Sequence, residues 1–326
     1  MAKKFTFSSL ILAAVTLLSL CLGAASLSPA DLWQALWLGP KSTAGYIFWY
    51  VRLPRTCACV SAGAALAVSG AVIQSVLHNK LASPSILGVN AGAGLAVTLC
   101  CAFGAISGWA IAGSAFLGAM IAVLLIVFAA EKAGASRTTV ILGGVAVNAF
   151  LNALSEAVTT LVPEIGMMTA DFRVGGFASV SYPRLLPALL LMGSAFLILY
   201  SFSSDLDVLA LGTETAQSLG LQVKQKRTLL LILAAMLSGA AVSFAGLLGF
   251  VGLMVPHGVR KMAGSESRIF LPLCALWGGS FVTGCDLLAR IAFAPYELPV
   301  GIVLSVLGGP FFLTLLIKGK GGRSHA

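Results

Sequence analysis

Residues 56–77, TCACVSAGAALAVSGAVIQSVL, run for 22 positions without a charged side chain. An α-helix of that length rises about 33 Å, enough to cross the hydrocarbon layer of a bilayer. The reading extends along the chain, since 59% of the 326 residues are hydrophobic and 10% are charged. A soluble domain carries roughly a quarter charged residues, so a water-facing surface cannot be assembled from this composition. Comparable stretches fall at 5–26, 86–106, 109–130, 138–160, 184–203, 228–247, 249–262, 269–291 and 299–317. The sequence therefore predicts an all-α polytopic membrane protein of about ten spans in a single domain, 1–326.

A net charge of +9 would suggest nucleic acid in a soluble protein, but here the basic residues report topology. With the N-terminus in the cytoplasm, the inner segments hold Lys3, Lys4, Lys80, Lys132, Arg137, Lys224, Lys226, Arg227, Arg260, Lys261, Arg268, Lys318, Lys320 and Arg323. The outer segments keep only Lys41, Arg52, Arg55, Arg173, Arg184 and Arg290. The excess of inner basic residues selects this orientation and puts both termini in the cytoplasm. The first stretch is too long for a cleaved signal core and reads as an uncleaved helix. Trp33, Trp37, Trp49 and Tyr50 in the outer segment 27–55 suit a membrane interface. Seven cysteines, an odd number lying in or beside apolar stretches, imply no disulfide framework.

Within the fifth span, Asn148, Asn152, Ser155, Glu156 and Thr159 fall along one helical face. A charge at the bilayer centre costs roughly 2.5–3.5 kcal/mol on insertion scales, so this face should look toward protein or water. It lines a translocation path or forms an interhelical hydrogen-bond seam, and the path is the reading adopted. Asp286 and Arg290, four apart, are placed to neutralise one another along a helix. Arg290 joins Arg52 and Arg55 on the side that topology disfavours, which an acidic docking partner would explain. Segment 204–227 is too long for a hairpin turn and carries LALGTETAQSLGLQVKQKR over 209–227. Helix-forming pieces broken by Gly212 and Gly220 predict either a compact helix-turn-helix protrusion, of use to an external motor, or a solvated loop.

Four runs carry a resemblance that covers nearly the whole chain in order. They are VRLPRTCACVSAGAALAVSGAVIQSVLHNKLASPSILGVNAGAGLA from Val51, LGTETAQSLGL from Leu211, GLLGFVGLMVPHGVRKMAG from Gly246 and ELPVGIVLSVLGGPFFLTLL from Glu297. Together they resemble the FecCD/BtuC-like permeases, the membrane subunits of bacterial ATP-binding-cassette (ABC) importers for iron-siderophores, haem or vitamin B12. The resemblance implies a ten-helix type II importer subunit in the bacterial inner membrane that pairs with a second permease subunit, identical or related. It also implies two cytoplasmic ATPase subunits and an external substrate-binding protein, with no nucleic-acid partner and no resident cofactor or metal. By this likeness Arg52, Arg55 and Arg290 match binding-protein contacts. Leu211, Gly212, Glu214, Ala216, Leu219 and Gly220 match the element that seats in the ATPase, and Asn79 and Leu81 match positions near a cytoplasmic gate.

The chain departs from the family at Lys80, where a proline is usual, and at Val51, which opens the arginine motif. His257 after Pro256 reads as structural. No phosphate-cradling P-loop occurs, since Gly319–Lys320 lacks the upstream pattern, so ATP hydrolysis belongs to a partner. The rival reading is an ion-driven secondary transporter using Glu156 or Asp286, but no internal repeat supports it. Iron-siderophore is the expected cargo class, with haem and vitamin B12 as the alternatives.

Overall fold

Lipid offers a backbone no hydrogen-bond partner, so a chain this apolar must close its N–H and C=O groups within helices. The computed structural model describes residues 2–23, 29–132, 137–292, 294 and 296–320 and contains no strand among them. Arg323 and the last residues of the first expected span, 24–26, lie outside the described residues. The long helices are α1 (Ala2–Cys21), α4 (Leu53–Val76), α5 (Val89–Ala102), α6 (Gly108–Lys132), α7 (Arg137–Leu161), α9 (Tyr182–Ser201), α12 (Val223–Ala245), α13 (Val251–Ala263), α14 (Ser267–Ile291) and α15 (Val300–Lys320). Each overlaps one of the ten spans read from the sequence.

Between them lie α2 (Pro29–Leu38), α3 (Thr43–Tyr46), α8 (Glu164–Val174), α10 (Ser203–Ala210) and α11 (Thr213–Ser218). The segment expected as an outer loop at 27–55 is thus largely helical. From Thr43 it runs through a π-helical turn, Ile47–Arg52, straight into α4, giving one apolar stretch, Thr43–Val76, of 34 residues. Pro54 offers no N–H to the π-helical turn before it, and the Trp49 carbonyl five residues back accepts instead from Tyr182 Oη at 2.7 Å.

Seven of the described helical runs are long and apolar enough to cross a bilayer, while α5 and α15 provide shorter apolar helices and α13 is short. With 13 residues, α13 rises only about 20 Å. The remaining depth is taken by the irregular link 246–250, whose backbone pairs with other elements instead of with itself. Leu247 N–H donates to Phe172 C=O at 2.9 Å and Gly176 N–H to Ala245 C=O at 2.8 Å. Gly301 N–H, at the start of α15, donates to Gly175 C=O at 3.1 Å. Non-helical backbone is tolerated at membrane depth because protein supplies these partners.

At the centre stands α4, packed by α14, α12 and α13. In its apolar window 78% of residues are buried, against 11% for α1 at the edge. Small side chains make that centre possible. A methyl group added at Gly63 would overlap the Gly278 carbonyl oxygen, and one at Gly278 would overlap that of Gly63, so α4 and α14 touch backbone to backbone. Gly92 of α5 and Gly118 of α6 repeat the arrangement. Gly88 and Gly104 have positive φ, of 84° and 76°, and end helical turns; Gly88 also lies against Ile126 and Ala122 of α6.

The chain alternates direction, so two ends can be distinguished. The arginine end gathers the C-termini of α1 and α14 and the start of α4; the hairpin end gathers α10, α11, the C-terminus of α4 and the C-terminus of α13. Lys4 Nζ donates to Met262 C=O at 2.7 Å, fixing the start of α1 beside the end of α13.

Gly63→Val forces apart two backbones already in contact, and overpacking of this kind costs about 1–3 kcal/mol. The purified protein should melt several degrees lower in detergent, whereas Gly113→Ala, where an added methyl meets nothing within 4 Å, should melt like the parent.

Candidate functional site

At the arginine end, Arg52 closes the π-helical turn, Arg55 lies in the first turn of α4, and Asp286 and Arg290 sit one turn apart on α14. A carboxylate with no solvent contact requires cationic partners, because an unpaired buried charge is strongly destabilising. Asp286 is 0% exposed and has two. Arg55 Nη2 lies 3.0 Å from its Oδ1 and Arg290 Nε 3.0 Å from its Oδ2, the latter being the i,i+4 pair read from the sequence. Arg55 Nη1 then reaches Glu297 Oε2 at 2.6 Å, tying in the segment that leads to α15.

The other guanidinium donors close the end of α1, whose last carbonyls have no helical partner. Arg52 Nη1 donates to the carbonyls of Leu20 and Cys21, each at 2.6 Å. Arg290 Nη2 donates to Ser19 Oγ at 2.6 Å, and Ser19 Oγ lies 3.0 Å from Thr56 Oγ1. Arg52, Arg55 and Arg290 are therefore 4%, 8% and 3% exposed. The expectation for these three residues is contact with a binding protein; within this chain they are buried and join α1, α4 and α14. Of this cluster only Glu297, one-third exposed at its side chain, opens to the rim.

At the opposite end, segment 204–227 forms the helix-turn-helix α10–α11. Gly212 (φ 118°) and Gly220 (φ 80°) occupy backbone conformations that side-chain-bearing residues rarely adopt, which is why the helical pieces break there. Ala216 is fully buried and anchors the hairpin. Leu211 and Leu219 point outward, 64% and 62% exposed, and Glu214 is also exposed. The hairpin is held by Lys226 Nζ on Asp205 Oδ2 at 2.8 Å and by Asp207 Oδ1, which accepts from Ser267 N–H at 2.9 Å.

The turn after α4 lies against this hairpin. Asn79 Oδ1 accepts from Leu81 N–H at 2.9 Å, an Asx turn that shapes the stretch without the proline usual at position 80. His78 has φ 49°, and its Nε2 lies 2.5 Å from the Leu209 carbonyl oxygen, bridging the turn to the hairpin.

The polar face of α7 divides. Asn148 Nδ2 donates to Ser85 C=O at 2.8 Å, and Ser155, buried, shares a hydrogen bond with Thr98 Oγ1 at 3.0 Å. These residues form the seam with α5 and its preceding turn. Asn152 and Glu156 are exposed, and Thr159 is half-buried. Arg173, at the end of α8, was noted in the sequence only as an outer basic residue. Its Nη2 donates to Ser155 Oγ at 2.9 Å and Thr159 Oγ1 at 3.1 Å. Nothing in the sequence spacing signalled that contact, since it depends on α8 folding back over α7.

Comparison with known proteins agrees with this architecture. The family model described as the FecCD transport family matches residues 11–318. The vitamin B12 import system permease protein BtuC of Klebsiella pneumoniae subsp. pneumoniae is 35% identical, over 98% of this chain and 95% of the relative. The protein of that name from Salmonella typhi is 38% identical, over 95% and 93%. Among solved structures, an inward-facing metal-chelate type ABC transporter, itself described as putative, matches with a TM-score of 0.85 at 27% identity, over 98% of this chain and 100% of that one. PsaBC from Streptococcus pneumoniae shares the fold at a TM-score of 0.56 and 17% identity, over 79% and 88%.

Asp286→Asn leaves Arg290 buried without its counter-charge and Arg55 with Glu297 alone, and should cost about 3–5 kcal/mol. Glu297→Gln keeps an acceptor at a partly exposed site and should cost no more than about 1 kcal/mol. Denaturant unfolding in mixed micelles separates the two, and equal losses would mean that Asp286 is not the centre of the cluster.

Proposed function

Because the chain belongs to the FecCD transport family, as the membrane permease subunit of an ABC importer, we propose that it carries an iron-siderophore-type chelate inward by alternating access. Energy comes from ATP hydrolysed on two separate cytoplasmic subunits that press on the α10–α11 hairpin. The observation that carries this reading is the hairpin's construction. Leu211 and Leu219 present apolar side chains to the outside while Ala216 roots the element in the bundle. Solvent-facing leucines at the tip of a rigid protrusion suit a groove on a partner.

In this reading the hairpin end faces the cytoplasm with both termini, the arginine end faces outward in the bacterial inner membrane, and a second permease subunit, identical or related, completes the path. The exposed part of the α7 face, Asn152 and Glu156, lines that path with half-buried Thr159 at its edge, while Asn148 and Ser155 support it from behind. Asn79 and Leu81 shape the inner gate, and the His78 contact with Leu209 links the gate turn to the hairpin.

An external binding protein docks at the arginine end. Arg52 and Arg290 act there by holding the rim in shape, and Arg55 is reached by an acidic partner that competes with Glu297. Vitamin B12 is the second reading for the cargo, favoured by the names of the relatives at 35–38% identity. Growth of a deletion strain on defined ferric chelates, haem or cobalamin as the limiting source distinguishes these cargoes.

Leu211→Asp combined with Leu219→Asp places charge on the proposed ATPase contact without touching the core. Co-purification of the ATPase subunits should fall at least about tenfold, with the permease melting temperature unchanged. Undiminished co-purification would remove the hairpin from the coupling role.

A further inference from the structure

Arg173 is an exposed cation that forms no ion pair among the described residues. It lies in the last turn of α8, and α8 is itself fixed by backbone hydrogen bonds from Phe172 and Gly175 to the 246–250 link and the start of α15. Its guanidinium is held against α7 by two hydroxyls, Ser155 and Thr159, both engaged by Nη2. Among the described residues it makes no ion pair. Hydroxyls orient a guanidinium but do not neutralise it. Nη1 and Nε, two further donor positions of the fork, have no hydrogen-bond partner among the described residues.

Two acids are close in sequence and neither cancels the charge. Asp171 precedes Arg173 by two positions, about 200° around α8, on the opposite side of the helix. Glu156 follows Ser155 on α7, is exposed, and forms no ion pair with Arg173. An attraction of Arg173 to the C-terminal end of its own helix explains a basic residue in that turn, worth some tenths of a kcal/mol. It does not explain why the side chain leaves its own helix for two hydroxyls of another. Ser155 and Thr159 are six and two residues before the end of α7, so the group lies about 3–9 Å inside that end of the helix. Ionisable residues at such depth mark substrate pathways, and Arg suits planar oxyanions that accept two hydrogen bonds at once.

We propose that Arg173, set by Ser155 and Thr159, is a specificity residue that receives an anionic group of the cargo, a carboxylate, catecholate or phosphate oxygen, as it enters the path. The proposal rests on the reading of α7 as the path wall and narrows the cargo to chelates bearing negative charge. The exposed Glu156 beside it adds an acceptor for a donor group on the same cargo.

The test uses the permease assembled with its ATPase subunits in lipid nanodiscs, without nucleotide or binding protein. Equilibrium dialysis compares two radiolabelled probes, a trianionic ferric tricatecholate and an uncharged ferric trihydroxamate. Loss of one charge-assisted hydrogen-bonded pair corresponds to about tenfold or more in affinity. Arg173→Gln should therefore cut the ratio of trianion to neutral-chelate affinity at least about tenfold, with the neutral chelate bound as before. Arg173→Lys, which keeps the charge but not the fork, should fall between. An unchanged ratio, an equal loss for both probes, or a wild-type complex that does not bind the trianion overturns the proposal. Failure of the importer reading shows separately, as absence of ATP-dependent uptake by the same complex in proteoliposomes supplied with binding protein.

Discussion

The packing at the arginine end depends on one buried carboxylate. Asp286 sits on α14 where that helix faces α4; it accepts from the Arg55 guanidinium of α4 and forms an ion pair with Arg290 of α14 itself. In a medium that cannot solvate ions, such a cluster is stable only if every member is paired and the leftover donors find acceptors. The leftover donors find the end of α1, whose carbonyls would otherwise be orphaned. Electrostatic necessity thus fixes the relative positions of three helices and, through Glu297, the approach to a fourth. The glycine contacts of α4 with α14 complete the arrangement, since helices drawn together by Asp286 must then touch without side chains between them.

A second constraint acts where helices stop within the membrane. The link 246–250, the end of α8 and the start of α15 each expose backbone groups, and they satisfy one another. That mutual closure demands close approach, which explains why a methyl group at Gly175, Gly246 or Gly301 would strike a carbonyl oxygen of the neighbouring segment. The junction is rigid for the same reason. It makes α8 a fixed platform, and Arg173 inherits that fixity.

Much of this was legible in the sequence where the signal is local. Each expected span has a helix because an apolar run of span length in lipid has one good way to satisfy its backbone. Gly212 and Gly220 announced the hairpin because a break needs residues tolerant of positive φ. The i,i+4 spacing of Asp286 and Arg290 already contained one half of the ion cluster. What was illegible was contact between residues far apart in the chain. Arg55 and Asp286 are separated by 231 positions, and no periodicity relates them. Topology gave the three arginines a reason in a docking partner, and the fold adds a buried acid on α14 that pairs with two of them. The α7 stripe shows the same limit: its period is helical throughout, but only packing decides that Ser155 turns inward while Asn152 and Glu156 remain exposed.

The two ends of the bundle differ in how they are held, and the difference has mechanical meaning. The arginine end is closed by multidentate, buried, charge-assisted bonds whose disruption is costly. At the hairpin end, α10 and α11 are rooted by buried Leu206, Leu209 and Ala216, and their polar ties are a partly exposed ion pair between Lys226 and Asp205 and single hydrogen bonds at Leu209 and Asp207. Exposed pairs contribute roughly 0.2–1 kcal/mol each, so the polar ties of this end loosen at less cost than those of the other. Under the proposed coupling role, force at the hairpin would reach the turn carrying His78, Asn79 and Leu81 through the His78–Leu209 contact before it reached the arginine cluster.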